Sequence, residues 1–495
     1  MAKYIGITLG PIGDTMMLTS TPAGLWAASY LFSNLAHCIR INIGKEGLVQ
    51  DDLKYGEEKE VKTLLEKGVG LYHDRIIYEA TDTYNLEGVA SAVKKSVNDM
   101  AEGFAKSLER PVEELQAFFE AYLNIHMVCV EEKENESFLI TVNNALDAAE
   151  LEKSFPSSIK SNPILELFNG DERGKNEKIK SSFLVSGSNE SRKLNWVLTD
   201  KSERGIKNLQ SIASGGAGNV YKAEEKAAKY YAVIRADGDN MGATVKRIRD
   251  EGEYLDFSKN CFIYGCKTAE IVLRYGGIPI YVGGDDLLCI APLKSRFEDA
   301  DHTFLEMIKD IRTAFKEVFP DGPDLSFGVQ IQYVKAPLYE ALNESGRLLF
   351  GVAKANKPGA LAINLRKHSG QTAEVTIKAL DDENRGEALL QKTDELIMRH
   401  ATENTLKSVG SHVGNFATLL DLAGKKGSEY VTHYFDNVFD NGVSPEMRKY
   451  VNEISNLAQL LNGECQGDGL SDKLGSYIRL IKFFSEKVDR EEETL

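Results

Sequence analysis

The sequence predicts an α+β protein. Apolar strand-like runs alternate with helical stretches over residues 1–154 and again over 229–379. A weakly periodic connecting region, 155–228, separates the two, and beyond 380 the apolar spacing is helical throughout.

The first unit opens on a buried strand at 3–9 (KYIGITL), followed by the loop Gly10-Pro11-Ile12-Gly13 and an apolar helix at 22–40. Residues 44–68 are charged and interrupted by glycine. Helices are expected at 86–108 and 112–120, a strand at 121–130 and a helix at 140–154. Between 155 and 228, Pro156, Pro163 and a charged run at 171–180 break the periodicity. The cluster Ser214-Gly215-Gly216-Ala217-Gly218 fits a flexible linker better than a phosphate cradle, because no strand-to-helix junction follows it.

The second unit begins with a strand at 230–236 (YYAVIRA) that runs into Asp237-Gly238-Asp239-Asn240-Met241-Gly242. A helix at 254–275 leads to two apolar segments flanking Gly283-Gly284-Asp285-Asp286, a tight hairpin. A helix at 296–319, a strand at 325–334, a helix at 337–356 and a strand at 360–365 complete βαββαβ plus a helix, a ferredoxin-like palm. Helices at 386–400, 405–422, 426–437, 446–461 and 471–486 make a terminal bundle.

The 495 residues leave room for about two to four domains. With 75 acidic against 59 basic residues the net charge is −16, unlike a free-standing nucleic-acid binder, whose affinity rests on neutralising phosphates. Six scattered cysteines include no CxxC pair, so neither a zinc ribbon nor a disulfide framework is expected. The N-terminus lacks a signal-peptide layout and no apolar run approaches ~18 residues, so a cytoplasmic protein without membrane spans is expected.

Asp237 and the hairpin acids have the pattern that phosphoryl transfer on nucleoside triphosphates requires. Two divalent ions about 3.5–4 Å apart neutralise the nucleophile and the leaving phosphate. Magnesium, or manganese in its place, takes carboxylate oxygens. A strand-terminal Asp237 beside a hairpin bearing Asp285 and Asp286 supplies them, with Asp285 and Asp286 as the catalytic pair. Gly283 and Gly284 let backbone approach a nucleotide. GGDD by itself is also an ordinary polar turn; its place in a correctly ordered palm is what points to a metal site. Asp239 either ligates or supports the loop. Gly238, Asn240, Met241 and Gly242 lie where backbone amides can meet a triphosphate, and Lys354 is a candidate phosphate clamp.

These segments together resemble the large palm-containing subunit of type III CRISPR effector complexes, particularly the Cmr-type branch. The resemblance rests on Gly10-Pro11-Ile12, Leu25-Trp26-Ala27-Ala28-Ser29-Tyr30, DGDNMG, GGDD, Ala336-Pro337-Leu338-Tyr339-Glu340-Ala341-Leu342 and His368-Ser369-Gly370-Gln371. It implies two packed palms, only the second bearing GGDD. It further implies conversion of ATP to cyclic oligoadenylate when the assembled complex, with its other subunits and guide RNA, senses target RNA. Asp237, Asp285 and Asp286 would then be the metal-binding carboxylates, with Asn240, Gly242 and Lys354 contacting nucleotide. Three features depart from the family. No HD nuclease domain precedes the first palm, and His73-Asp74, beside the apolar Arg75-Ile76-Ile77-Tyr78, lacks partner histidines. The zinc-binding cysteines are missing. Thr19-Ser20-Thr21-Pro22-Ala23-Gly24 stands where charged residues are expected. The alternatives are a GGDEF-type cyclic dinucleotide synthase, disfavoured by Asp286 in the place of its glutamate, and a catalytically silent scaffold subunit.

Overall fold

The computed structural model describes residues 2–44, 59–66, 68–81, 85–132, 137–152, 162–168, 208–215, 225–248, 250–320, 322, 324–356, 358–380, 385–399, 403–439, 444–465 and 467–487. Most of the connecting region, including Gly216-Ala217-Gly218, lies outside them.

The N-terminal sheet has three strands, β1 (Lys3–Gly10), β2 (Ile76–Glu79) and β3 (Asn124–Glu131), in the order β2-β1-β3. Both neighbours run antiparallel to β1. Helix Phe138–Ala149 lies so close to this sheet that a Cβ on Gly6 would stand 2.6 Å from Val142 Cγ1. Helix Pro22–Ile43 is buried along nearly all its length, which explains its almost continuous apolar sequence.

The second sheet has six strands in the order β11-β10-β9-β4-β6-β5. These are β4 (Tyr230–Gly238), β5 (Ile278–Gly283), β6 (Asp286–Pro292), β9 (Leu325–Tyr333), β10 (Leu361–Arg366) and β11 (Thr372–Ile377). The inner β9-β4-β6-β5 order, with β4 antiparallel to β6 and β9, is that of a ferredoxin-like palm. Helix Glu251–Arg274 covers one face, where Gly265 approaches Val282. Helix Leu338–Gly346 and its continuation Arg347–Ala353 cover part of the other. Gly328 in β9 makes that second contact possible: a Cβ there would stand 2.4 Å from Leu349 N and 2.5 Å from Ser345 O.

Several expected boundaries change. The helix expected over 296–319 starts at Phe304, because β7 (Lys294–Phe297) and β8 (Ala300–Thr303) form a hairpin first. Its turn places Glu298 and Asp299 at φ of 51° and 60°. The helix at 337–356 loosens into a π-helical turn from Arg347 to Ala353. The single helix at 405–422 is two, Glu403–Asn415 and Ala417–Lys426, and strand β11 adds an edge that sequence periodicity did not show.

The two sheets share one hydrophobic core. A second cluster joins Tyr4, Ile77 and Phe138 of the first unit to Ile248 and Tyr254 of the second, and Tyr4 Oη donates to Glu251 at 2.7 Å. The C-terminal helices dock through Leu470–Phe483, which packs on β11. Phe483 meets Tyr230 edge to face with centroids 4.7 Å apart, and Lys367 pairs with Glu486 at 2.5 Å. A mixed α+β fold followed by a helical bundle agrees with the fold class that the sequence implied; among the described residues the first sheet has three strands where a ferredoxin-like palm has four.

Gly328→Ala should cost about 1–3 kcal/mol, because the methyl group meets backbone that cannot move aside. Urea unfolding checks this; an unchanged midpoint would show that the helix is not held at this distance.

Candidate functional site

The site is built by strand pairing. In β4, Arg235 and Asp237 leave the sheet on one face while Ile234 and Ala236 enter the core on the other. Ala236 pairs with Leu287 in β6, so Asp286 stands next in line beside Asp237. Gly283 pairs with Asp286 across the hairpin, and Gly284 takes φ +65°, the left-handed conformation that favours glycine. The 237–242 segment and the GGDD turn are therefore brought together, as the sequence implied.

Their side chains have different surroundings. Asp285 turns back into the protein and accepts a hydrogen bond from Gly238 N at 3.1 Å. Gly238 is required there, since a Cβ would stand 2.7 Å from Asp285 Oδ2 and 2.6 Å from Met241 Cγ. Asp239, left open by sequence reasoning, is a support. It is buried, with Ser326 Oγ donating at 2.8 and 3.0 Å and Gly359 N at 2.7 Å. Its own N–H donates to Asp324 O at 2.8 Å, and Asp324 is held by Arg312 through two bonds of 2.7 and 2.9 Å. Asn240 is exposed at φ 57°, and the short helix Met241–Val245 starts after it. Open space surrounds Gly242.

Lys354 reaches this loop from the end of the π-helical turn. Its Nζ donates to Gly238 O at 2.9 Å and pairs with the Asp237 carboxylate, with Asp239 Oδ1 at 3.9 Å. A carboxylate and a carbonyl oxygen thus converge on one cation. Carboxylate and carbonyl oxygens are also the donor type that hard divalent ions take. Among the described residues no group of three His, Cys, Asp or Glu side chains is already gathered to hold a metal. Asp285 is engaged instead by the Gly238 amide.

Electrostatics set the two turn acids apart. Burial pushes the Asp285 carboxyl up, while its bonds to backbone amides pull it down. Asp286 is pushed up to about 7 by burial, then by the neighbouring charges of Asp285 and Asp74, with Arg235 acting in the opposite direction. Crowded carboxylates resist ionisation unless a cation joins them.

Three participants escaped sequence reasoning: Arg235, Asp74 and Tyr281. Tyr281 shares the Asp286 face of the hairpin, and its hydroxyl would lie 2.8 Å from a Cβ on Gly283. Burial raises that hydroxyl's pKa well above its usual value, and the charges of Asp74, Asp286 and Asp285 add to the effect. Asp74 belongs to the His73-Asp74 pair of the first palm. His73 is fixed structurally, its carbonyl accepting from the buried Arg40 at 3.2 Å.

Residues 230–362 match the family model for the second palm domain of Cas10/Cmr2. This segment is a Cas10/Cmr2 palm. The CRISPR system Cmr subunit Cmr2 of Pyrococcus furiosus is 32% identical over 183 residues, a match covering 30% of this chain and 20% of that protein. The aligned part thus spans about a fifth of that relative. The fold extends further. A Csm1-Csm4 cassette in complex with pppApA superposes at TM-score 0.52 and 12% identity, covering 93% of this chain and 69% of that one. A cassette in complex with cA3 gives 0.51 at 10% identity, with the same shares. In fold, and in the sequence of its second palm, the chain is similar to large subunits of type III CRISPR systems, as its motifs implied. In the Cas10/Cmr2 palm, Asp237 and GGDD occupy the end of the central strand and the adjoining hairpin. No helix among the described residues is long and apolar enough to cross a membrane.

Between the unfolded value of 3.8 and about 7, folded Asp286 retains a proton that the unfolded chain releases. Its contribution to stability is therefore present at low pH and lost as pH rises through that window. Metal-free Asp286→Asn should melt above wild type at pH 8, with the gain shrinking toward pH 5. A gain equal at both pH values, or a lower Tm at pH 8, would contradict this.

Proposed function

We propose that this chain is the nucleotidyl-transferring subunit of a type III CRISPR effector. In this reading its second palm links ATP into cyclic oligoadenylate when the assembled complex engages target RNA. One observation carries the reading: β4–β6 pairing sets Asp237 beside the GGDD turn, in a segment that matches the Cas10/Cmr2 palm. The Csm1-Csm4 cassettes that share its fold are complexes with pppApA and cA3, which supports adenylate as the substrate class.

Asp237, Asp286 and the Gly238 carbonyl are the groups that would hold magnesium or manganese, with Asp285 joining them if its side chain turns from the Gly238 amide. The ion supplies neutralisation of phosphate charge and lowers the pKa of the attacking hydroxyl. If a cation replaced its contact with Asp237, Lys354 would be free to take a phosphate oxygen. The exposed Asn240 and open Gly242 would lie beside the polyphosphate, and the Gly283-Gly284 turn would let backbone approach the nucleotide. Asp239, held by Ser326 and Gly359, keeps the loop rigid.

The −16 net charge argues that guide and target RNA are held mainly by other subunits. The lone chain should bind RNA weakly at near-physiological salt, compared with the reconstituted complex. Tight sequence-independent binding, with synthesis needing no partner, would identify a free-standing signalling enzyme instead.

Incubation with each labelled nucleoside triphosphate and magnesium, alone and with partner subunits and RNA, tests the activity and identifies the base. Asp285→Ala combined with Asp286→Ala should lower product formation by at least ~10²-fold while the protein stays folded and assembled. Undiminished turnover in that variant would remove the assigned site, and an inert wild-type complex would favour a silent scaffold.

A further inference from the structure

Arg235 carries the one charge on the active face to which the preceding account gives no task. It precedes Asp237 by two positions in the central strand, with Leu288 and Gly328 opposite it on β6 and β9. Both side chains therefore rise from the same face. Its Nε donates to Ser345 Oγ at 3.3 Å. Among the described residues the guanidinium makes that one hydrogen bond and no ion pair with a carboxylate.

Four other arginines of this palm are paired. Arg312 holds Asp324, Arg347 holds Glu344 and Glu374, Arg366 holds Glu340, and Arg274 holds Asp310. An unpaired guanidinium is unexpected in a chain so rich in carboxylates, because a charge taken from water needs a partner. Asp286 influences it from beyond ion-pair distance. Neither terminal nitrogen is fully sealed from solvent, although the side chain is largely desolvated. Ser345, which itself donates to Leu342 O at 2.9 Å, fixes one edge of the fork and leaves the other available. Gly346 adds no side chain beside it: a Cβ there would lie 3.9 Å from Nε.

We propose that Arg235 binds a phosphate of the nucleotide carried on the Asp237–Asp286 face. The planar fork presents two parallel N–H donors that match two phosphate oxygens, a geometry an ammonium does not offer. The inference rests on the reading that this face takes a nucleoside triphosphate. The rival role is charge balance, in which Arg235 only offsets Asp286.

Binding of ATP and of adenosine is compared by calorimetry in calcium, which permits binding while suppressing turnover, and Mn2+ binding without nucleotide is followed by electron paramagnetic resonance. Arg235→Gln should weaken ATP about tenfold or more, the range of a lost charge-assisted fork, and leave adenosine within about twofold. Mn2+ affinity should not fall. Arg235→Lys, which keeps the charge and guards against misfolding of the glutamine variant, should recover only part of the ATP affinity. Unchanged ATP affinity overturns the proposal, as does an equal loss for ATP and adenosine. A loss of ATP binding that merely tracks weaker Mn2+ binding assigns Arg235 to charge balance. Wild-type protein that binds no ATP overturns this inference together with the functional reading, whereas wild-type binding matched by both variants overturns the inference alone.

Discussion

The organising constraint is the placement of acidic groups at the end of a buried central strand. β4 is flanked by β6 and β9, so Asp237 and Asp286 are fixed side by side by backbone hydrogen bonds and not by any attraction between them. Burial, and then the charges of Asp285 and Asp74, raise the pKa of Asp286 at this position. Each nearby polar device eases the crowding. Lys354 sits against Asp237, the Gly238 amide donates to Asp285, and Ser326 with Gly359 satisfies Asp239. A rigid sheet that holds repelling carboxylates together is suited to a divalent cation, because the cation's binding relieves a repulsion already present.

Much of this was legible in the sequence because strand ends and tight turns leave local signatures. Asp237 follows an apolar run directly, and GGDD lies between two such runs. The facing of side chains was not legible, since it depends on register between strands distant in sequence. Arg235 and Tyr281 are therefore ordinary strand residues until β4, β5 and β6 are paired. Asp74 needs the additional step of packing one palm on another. The hairpin at 294–303 was hidden for a different reason. Its charged residues mimic a solvated helix face, while its turn depends on Glu298 and Asp299 adopting positive φ, which side-chain periodicity does not report. The π-helical turn before Lys354 likewise changes helical phase without an obvious breaker such as proline.

The first palm is more than a spacer for the second. Its Tyr4, Ile77 and Phe138 share a core with Tyr254, and the charge of Asp74 raises the pKa of both Tyr281 and Asp286. A change in the packing of the two palms would alter the site's electrostatics without moving the β4–β6 register. Such a change can regulate only if a partner binds one arrangement more tightly than the other. The helical bundle, tied to the second palm through Phe483 and Glu486, supplies a further lever on the same sheet.

The central claim is that Lys354 stands in for a divalent cation on Asp237 and the Gly238 carbonyl. Mn2+ titration followed by electron paramagnetic resonance, with no nucleotide present, tests this most directly. Wild type should bind Mn2+, Asp237→Asn should lose that binding, and Lys354→Met should bind more tightly than wild type because the competing ammonium is gone. Equal Mn2+ affinity in wild type and Asp237→Asn, or weaker binding in Lys354→Met, would contradict the account.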